Sequence, residues 1–370
     1  MRAIAEGGGG PPRVSQKETP LCEVKESCGG CAGGLVNPTI WTDKLRATYH
    51  IRRGEEARGI VLARWGGLGN HRYQVGFSGD VNPLAWNSFA YQPYFSSTAA
   101  NVGYGFWSHD IEGPGNDHEL YTRWIQFAAF SAVFRSHDRG MSGGGCANGG
   151  QSAGQPHMNG CSTVKPWNVP TKFFEANRYA MQTRAKWLPL IYNATREAYE
   201  TGVSILRPMY YEYPEENMAY ASDMNGNFAQ YFFATADCFV APVVENATVN
   251  TPSQLYGGLA AKTLWVPPGD WLELPTGKLH SGPTVVSKRF DITEIPVFVK
   301  AGSMLPTVPL KLGSTIGQAI KAWEELEFTI YNPALKGGCS VYEDDGATTQ
   351  YSTKQAYART VAEYTTSGAD

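Results

Sequence analysis

The 370-residue chain carries 31 Lys and Arg against 34 Asp and Glu, a net charge of −3 with only 18% charged residues. This argues against a nucleic-acid partner, because phosphate binding rests on clustered positive charge. Apolar residues make up 42% of the chain, yet no run approaches the about 18 consecutive apolar positions of a membrane-spanning helix. The 41 Gly and 23 Pro are balanced by 10 Trp, 20 Tyr and 16 Phe, so the composition is that of a loop-rich folded protein long enough for two or three domains.

Residues 1–35 are rich in Gly, Pro and Cys without apolar periodicity and predict a disordered or loop-rich tail. The opening stretch lacks the apolar segment of a secretory signal. "CGGC" at Cys28–Cys31 has redox or metal spacing but no helical pattern behind it, and "GGGG" at Gly7–Gly10 lacks the Lys of a phosphate loop; both read as linker. From Gly59 to Arg64, "GIVLAR" predicts a buried strand, and "RYQVGFSGD" predicts another that ends with Asp80 at its C-terminal tip. Residues 82–99 show no regular pattern. "NVGYGFWSHDI", Asn101 to Ile111, gives a third strand with Asp110 at a second tip.

His118 to His137 has helical spacing. Residues 139–162 form a Gly-rich long loop bracketed by Cys146 and Cys161, which stand equally as a disulfide or as free thiols. A helix follows over Lys172–Thr201 with a kink at Pro189, then a strand over Gly202–Pro214. Beyond this the texture changes to short β runs, "AQYFFAT", "CFVAPVV", "KTLWVP" and "IPVFVKAGS", which predict a β-sandwich. "LEFTIYNP" to "AYARTVAEYT" predicts the start of a further β module, with "EDDG" at Glu343–Gly346 as a turn and not a calcium loop. Asn193 and Asn246 head two Asn-x-Thr triplets, candidate glycosylation acceptors.

Alternating strand and helix up to about residue 212, with polar residues gathering at strand C-termini, is the pattern of an α/β barrel or a doubly wound sheet. Asp80 and Asp110 at neighbouring tips, among Trp65, Phe77, Trp86 and Trp107, suit acid/base work on a neutral polyol. Each Asp standing alone reads first as a cap or turn residue after its strand. The ordered blocks "RWGGLGNHRYQVGFSGD", "NVGYGFWSHDI", "FRSH", "VKPWNVP", "LRPMYYEYP", "VPPGDWLELPTG" and "IPVFVKAGSMLP" resemble glycoside hydrolase family 31, the retaining α-glucosidase and α-xylosidase group, over roughly residues 36 to 365.

The resemblance implies an α/β plus all-β chain: the second half of a (β/α)8 barrel over 36–215, a proximal β-sandwich over 216–310 and the start of a distal β domain over 311–370. It implies Asp80 as general acid/base. Arg64 would bind a sugar hydroxyl beside it, Asp110 and His137 would clasp hydroxyls of the sugar being cleaved, and Trp107 and Phe77 would form pocket walls. The substrate implied is an α-linked glycoside or oligosaccharide with terminal glucose or a related sugar, and the chemistry calls for no metal or cofactor.

Two departures qualify this. The family's Asp-Ile-Gly-Gly reads Asp110, Ile111, Glu112, Gly113 here, adding a carboxylate at the rim. A retaining mechanism also needs a second carboxylate as nucleophile, and the only aspartate before Asp80 is Asp43, in a segment that resembles one after the nucleophile strand. The blocks match barrel strands five to eight, so the expected state is a half barrel with an exposed edge, dependent on an N-terminal half. The alternatives are a non-catalytic carbohydrate-binding protein and a fragment without activity of its own.

Overall fold

The computed structural model describes residues 57–63, 71, 74–79, 85–111, 117–137, 166–247, 258–310, 323–334 and 336–366. Asp80, Arg64, Glu112, the first 35 residues and the 139–162 stretch with its two cysteines lie outside the described residues. No described helix is long and apolar enough to cross a membrane.

Three short strands, β1 (Val61–Ala63), β2 (Gln74–Phe77) and β3 (Phe106–Ser108), form a parallel layer in the order β1-β2-β3. The register sets Leu62 beside Val75, Gly76 beside Trp107 and Phe77 beside Ser108. Parallel strands need long crossovers; the crossover from β2 to β3 is helix α1 (Trp86–Thr98). No periodicity marks this helix, because Pro93 sits inside it and its buried side includes Gln92, Ser96 and Ser97. Ser97 and Thr98 satisfy their hydroxyls on the carbonyls of Pro93 and Tyr94, and Phe89 stacks on Trp124 at 5.1 Å, so packing overrides the weak local propensity.

Helix α2 (His118–Ala129) is capped by Asp117, whose Oδ1 accepts the Leu120 amide at 2.9 Å while Oδ2 accepts the Trp86 indole at 3.0 Å. It ends eight residues earlier than the sequence pattern extends. Past Ala129 the Arg184 guanidinium takes up the carbonyls of Ala129, Ser131 and Ala132, which a continuing helix would have used itself. The chain then runs extended, and Ser136 bridges Ile111 in parallel. On the other side of α2, the buried Arg123 donates to the carbonyls of Phe290, Asp291 and Glu294, and Gln126 to that of Ile292, tying the helix to the β-rich half.

The predicted kinked helix is two helices, α3 (Thr171–Lys186) and α4 (Leu188–Thr201), with Pro189 in the first turn of the second, where its missing N–H costs nothing. The strand expected over 202–214 is corrected to two residues, β4 (Leu206–Arg207), followed by Pro208 and a 3₁₀ turn over Met209–Tyr211. β4 pairs antiparallel with β5 (Tyr231–Phe233) rather than extending the parallel layer.

The remaining strands of this sheet are β6 (Cys238–Val240), β7 (Ala260–Glu273), β8 (Lys278–Phe290) and β9 (Val297–Lys300), in the order β4-β5-β6-β9-β7-β8 with antiparallel neighbours. Its apolar face joins the helices in one core holding Trp124, Phe127, Phe233, Val240 and Val299. In β7 the ladder register shifts between Val266 and Gly269, because Pro267 and Pro268 have no N–H to give.

β10 (Met304–Thr307) pairs with β11 (Glu327–Ile330), and β12 (Lys336–Glu343) with β13 (Ala358–Thr365), antiparallel in both cases. The "EDDG" stretch is a turn: Asp344 and Asp345 accept the amides of Gly346, Ala347 and Thr348, and Gly346 has φ +64°. Arg58 closes over it, donating to the Tyr192 hydroxyl at 2.8 Å and to Asp344 Oδ2 at 3.0 Å. Asn193, a candidate glycosylation acceptor, instead donates to the Ser340 carbonyl and accepts the Tyr342 amide, so its side chain is committed to holding β12 on α4.

Candidate active site

The side chains of the candidate site come from three neighbouring stretches: the C-terminal ends of β2 and β3 and the extended segment after α2. Alternation along a strand sends successive side chains to opposite faces. Phe77 and Ser108 are register partners on one face, and Gly76 and Trp107 on the other. The Ser78 amide donates to the Ser108 carbonyl at 3.1 Å and keeps the two strand ends together.

Asp110 is fully buried. Arg135 forms an ion pair with its Oδ1, donates from Nε to Ser108 Oγ at 2.9 Å, and lies over the Phe77 ring at 4.9 Å from the centroid. One guanidinium therefore meets the end of β2 and the end of β3 at once, an arrangement suited to its planar fork. Asp110 Oδ2 has no hydrogen-bond partner among the described residues. His137 Nε2 stands 3.8 Å from that oxygen, too far for a hydrogen bond but near enough to share an acceptor or donor placed between them. The His137 amide donates to the Ile111 carbonyl at 3.0 Å, which fixes where the ring starts. A buried carboxylate with one oxygen held by a cation and the other unspent is a preformed acceptor for a hydroxyl group.

Of the residues expected from the sequence, the structure brings Asp110, His137 and Phe77 together. It turns Trp107 the other way: its ring meets Phe95 at 4.9 Å and Tyr104 at 5.1 Å, both edge-on, between strand and helix. Gly76 makes room for it, since a Cβ there would lie 2.5 Å from Trp107 Cζ3. His109 shares that face, stacked on Phe127 at 4.6 Å and accepting the Trp124 indole N–H on Nδ1 at 2.8 Å. Burial, reinforced by Arg135 and Arg184, lowers its pKa to about 3, so the imidazole is neutral with its proton on Nε2.

Arg135 is the residue that sequence reasoning passed over, although it stands in the quoted "FRSH". The spacing Arg135-x-His137 puts two side chains on one side only if the segment is extended. A helix carried through to His137 hides that relation.

Three parallel strands, with helix α1 crossing between two of them, polar groups at their C-terminal ends and an antiparallel sheet beyond, have the layout of part of an α/β barrel enzyme. The Glycosyl hydrolases family 31 TIM-barrel domain matches residues 38–194 and the Glycosyl hydrolase family 31 C-terminal domain matches residues 202–305. The chain belongs to glycoside hydrolase family 31, with part of its TIM barrel and a C-terminal β domain.

It is 28% identical over 313 residues to an isomaltosyltransferase of Sporosarcina globispora, covering 82% of this chain and 26% of that protein. It is 26% identical over 299 residues to alpha-glucosidase 2 of Bacillus thermoamyloliquefaciens, covering 80% and 32%. The solved family 31 dextranase of Flavobacterium johnsoniae in complex with isomaltotriose shares the fold at a TM-score of 0.71 and 24% identity, over 89% of this chain and 37% of the other. The chain thus spans between 26% and 32% of the length of these two curated relatives.

Proposed function

We propose that this chain carries the acid/base and sugar-clasping side of a retaining α-glycosidase acting on terminal α-linked glucose or a related sugar. The observation that supports this most is the buried Asp110, whose Oδ2 is unspent beside His137 while Arg135 holds Oδ1. In this reading Asp110 and His137 receive hydroxyls of the sugar, Arg64 holds a further hydroxyl, and Phe77 sits under Arg135 at the wall. Trp107 then supports β3 from behind.

Asp80, next in sequence after Gly79 at the end of β2, is the general acid/base. Its protonated form gives a proton to the departing glycosidic oxygen as the nucleophile attacks the anomeric carbon. Its anion then takes a proton from the water that releases the sugar with retained configuration. The nucleophilic carboxylate comes from barrel strands other than those described. The division into a partial barrel over 36–215 and β domains over 216–310 and 311–370 belongs to the same reading. The relatives' names and the isomaltotriose held by the dextranase favour α-linked glucose units as the substrate.

The test uses a protein in which both carboxylates are present. Asp80→Ala slows cleavage of maltose about 10²–10⁴-fold, the range of general acid/base catalysis, yet spares a substrate whose leaving group needs no proton. Equal loss on both substrates removes Asp80 from this role. A second reading, a saccharide-binding chain without turnover, is favoured by the pairing of Asp110 with His137, which can receive hydroxyls without any bond being cleaved. It is distinguished by binding of maltose to this chain that Asp110→Asn abolishes, with no glucose released.

A further inference from the structure

Helix α1 leaves from beyond the C-terminal end of β2 and returns the chain to the start of β3, so its last turn lies at the opposite end of the parallel layer from Asp110. There it borders a cavity of about 220 Å³. Tyr94 of α1 and Asn101 form one wall, Tyr210 after β4 another, and Tyr220 and Ser222 the third. None of the described residues lining it is charged.

Tyr210 and Tyr220 stack at 4.8 Å with planes 8° apart, leaving Tyr220, 56% exposed, with an outward face. Asn101 fixes the polar edge: its amide donates to the Tyr210 hydroxyl at 2.7 Å and its carbonyl accepts from the Tyr211 hydroxyl at 3.2 Å. Because the Tyr210 oxygen accepts there, its own proton remains to be given. The Ser222 hydroxyl oxygen is buried and has no partner among the described residues.

A charge-free lining offers an ion nothing to replace its hydration. A purely apolar guest would leave the Ser222 hydroxyl unpaired, at the cost of a lost hydrogen bond. A neutral ring with apolar C–H faces and hydroxyl edges fits both the tyrosine stack and the unspent hydroxyls. The volume lies below the about 300–1,000 Å³ of drug-sized pockets and suits a single such ring.

We propose that this cavity is a second, non-catalytic saccharide site that seats one neutral pyranose unit of an α-linked oligosaccharide. The choice of saccharide rests on the function proposed above; the cavity's preference for a neutral polyol does not. Such a site would hold a chain end at a distance from the cleavage point.

Met209 lines the cavity and is 2% exposed, so its methyl group reports on occupancy. With the chain labelled by ¹³C-methyl methionine, and Met209 assigned through Met209→Leu, maltotriose shifts the Met209 resonance saturably. The shift persists in Asp110→Asn, is lost in Tyr220→Ala and needs several-fold more ligand in Ser222→Ala. An unmoved Met209 resonance, or one that still responds in Tyr220→Ala, leaves a cavity holding water only and overturns the proposal. A response lost in Asp110→Asn but kept in Tyr220→Ala assigns all binding to the candidate active site and likewise overturns it. Failure of Asp110→Asn to abolish maltose binding at the candidate active site counts against that reading and leaves the Met209 result untouched.

Discussion

Replacing Arg135 with methionine tests the candidate site at the pair that organises it. Asp110 has no exposed surface, and the Arg135 side chain is 22% exposed. Removing one partner of a buried ion pair typically costs about 3–5 kcal/mol, because the remaining charge is left uncompensated, whereas an exposed pair is worth about 0–1 kcal/mol. The burial of Asp110 places Arg135→Met nearer the first range. For a urea slope of about 3 kcal/mol per M, the midpoint falls by roughly 1–2 M. Adding Asp110→Asn removes the stranded carboxylate, so the double variant recovers at least about 1 kcal/mol relative to Arg135→Met. Urea unfolding followed by tryptophan fluorescence for the wild type, both single variants and the double variant closes the cycle. A loss under about 1 kcal/mol for Arg135→Met, or strict additivity in the double variant, refutes the view that this guanidinium holds the carboxylate in place.

Two further outcomes concern the helix-facing side of β3. His109 has a folded pKa of about 3, below the ordinary 6.5, so the unfolded chain takes up its proton first as pH falls. The associated stability is complete above about pH 6.5 and is lost progressively toward pH 3. His109→Asn, which keeps an acceptor for the Trp124 indole, flattens this part of the profile of urea midpoint against pH; parallel profiles contradict the assignment. Gly76→Ala places a Cβ 2.5 Å from Trp107 Cζ3 and 3.3 Å from Tyr104 Cε1, an overpacking worth about 1–3 kcal/mol. A lower thermal midpoint with altered near-UV circular dichroism is expected, and unchanged values in both show that Trp107 moves freely.

The parallel layer was legible because "GIVLAR" is a short apolar run, "RYQVGFSGD" alternates, and "RYQVGFSGD" and "NVGYGFWSHDI" both carry a polar, Asp-bearing tip. Asp110 and His137 were legible as a pair only through their resemblance to a family, since 26 residues and a helix separate them. Helix α1 was hidden by Pro93 and by a buried side built partly from Ser96, Ser97 and Gln92. The β7–β8 hairpin was read only as the fragment "KTLWVP", because Pro267-Pro268 and Gly282-Pro283 interrupt the alternation of a ladder running from Ala260 to Phe290. The pairing of β4 was beyond the sequence. A two-residue strand has no periodicity, and its neighbour is decided by the core in which Ile205 and Leu206 lie. Arg135 was missed because the end of α2 is set by Arg184, which is distant in sequence.

The clasp of Arg58 on Asp344 joins residues 286 positions apart. At synthesis rates of about 5–20 residues per second, roughly 15–60 s pass between the emergence of the first and that of the second. During that interval the chain just ahead of β1 lacks this anchor, and the loop that it eventually closes is among the slowest kind to form. The C-terminal turn thus acts as a late fastener on the earliest strand of the parallel layer, and the nascent chain is most open to proteases and to mispairing before that fastener arrives.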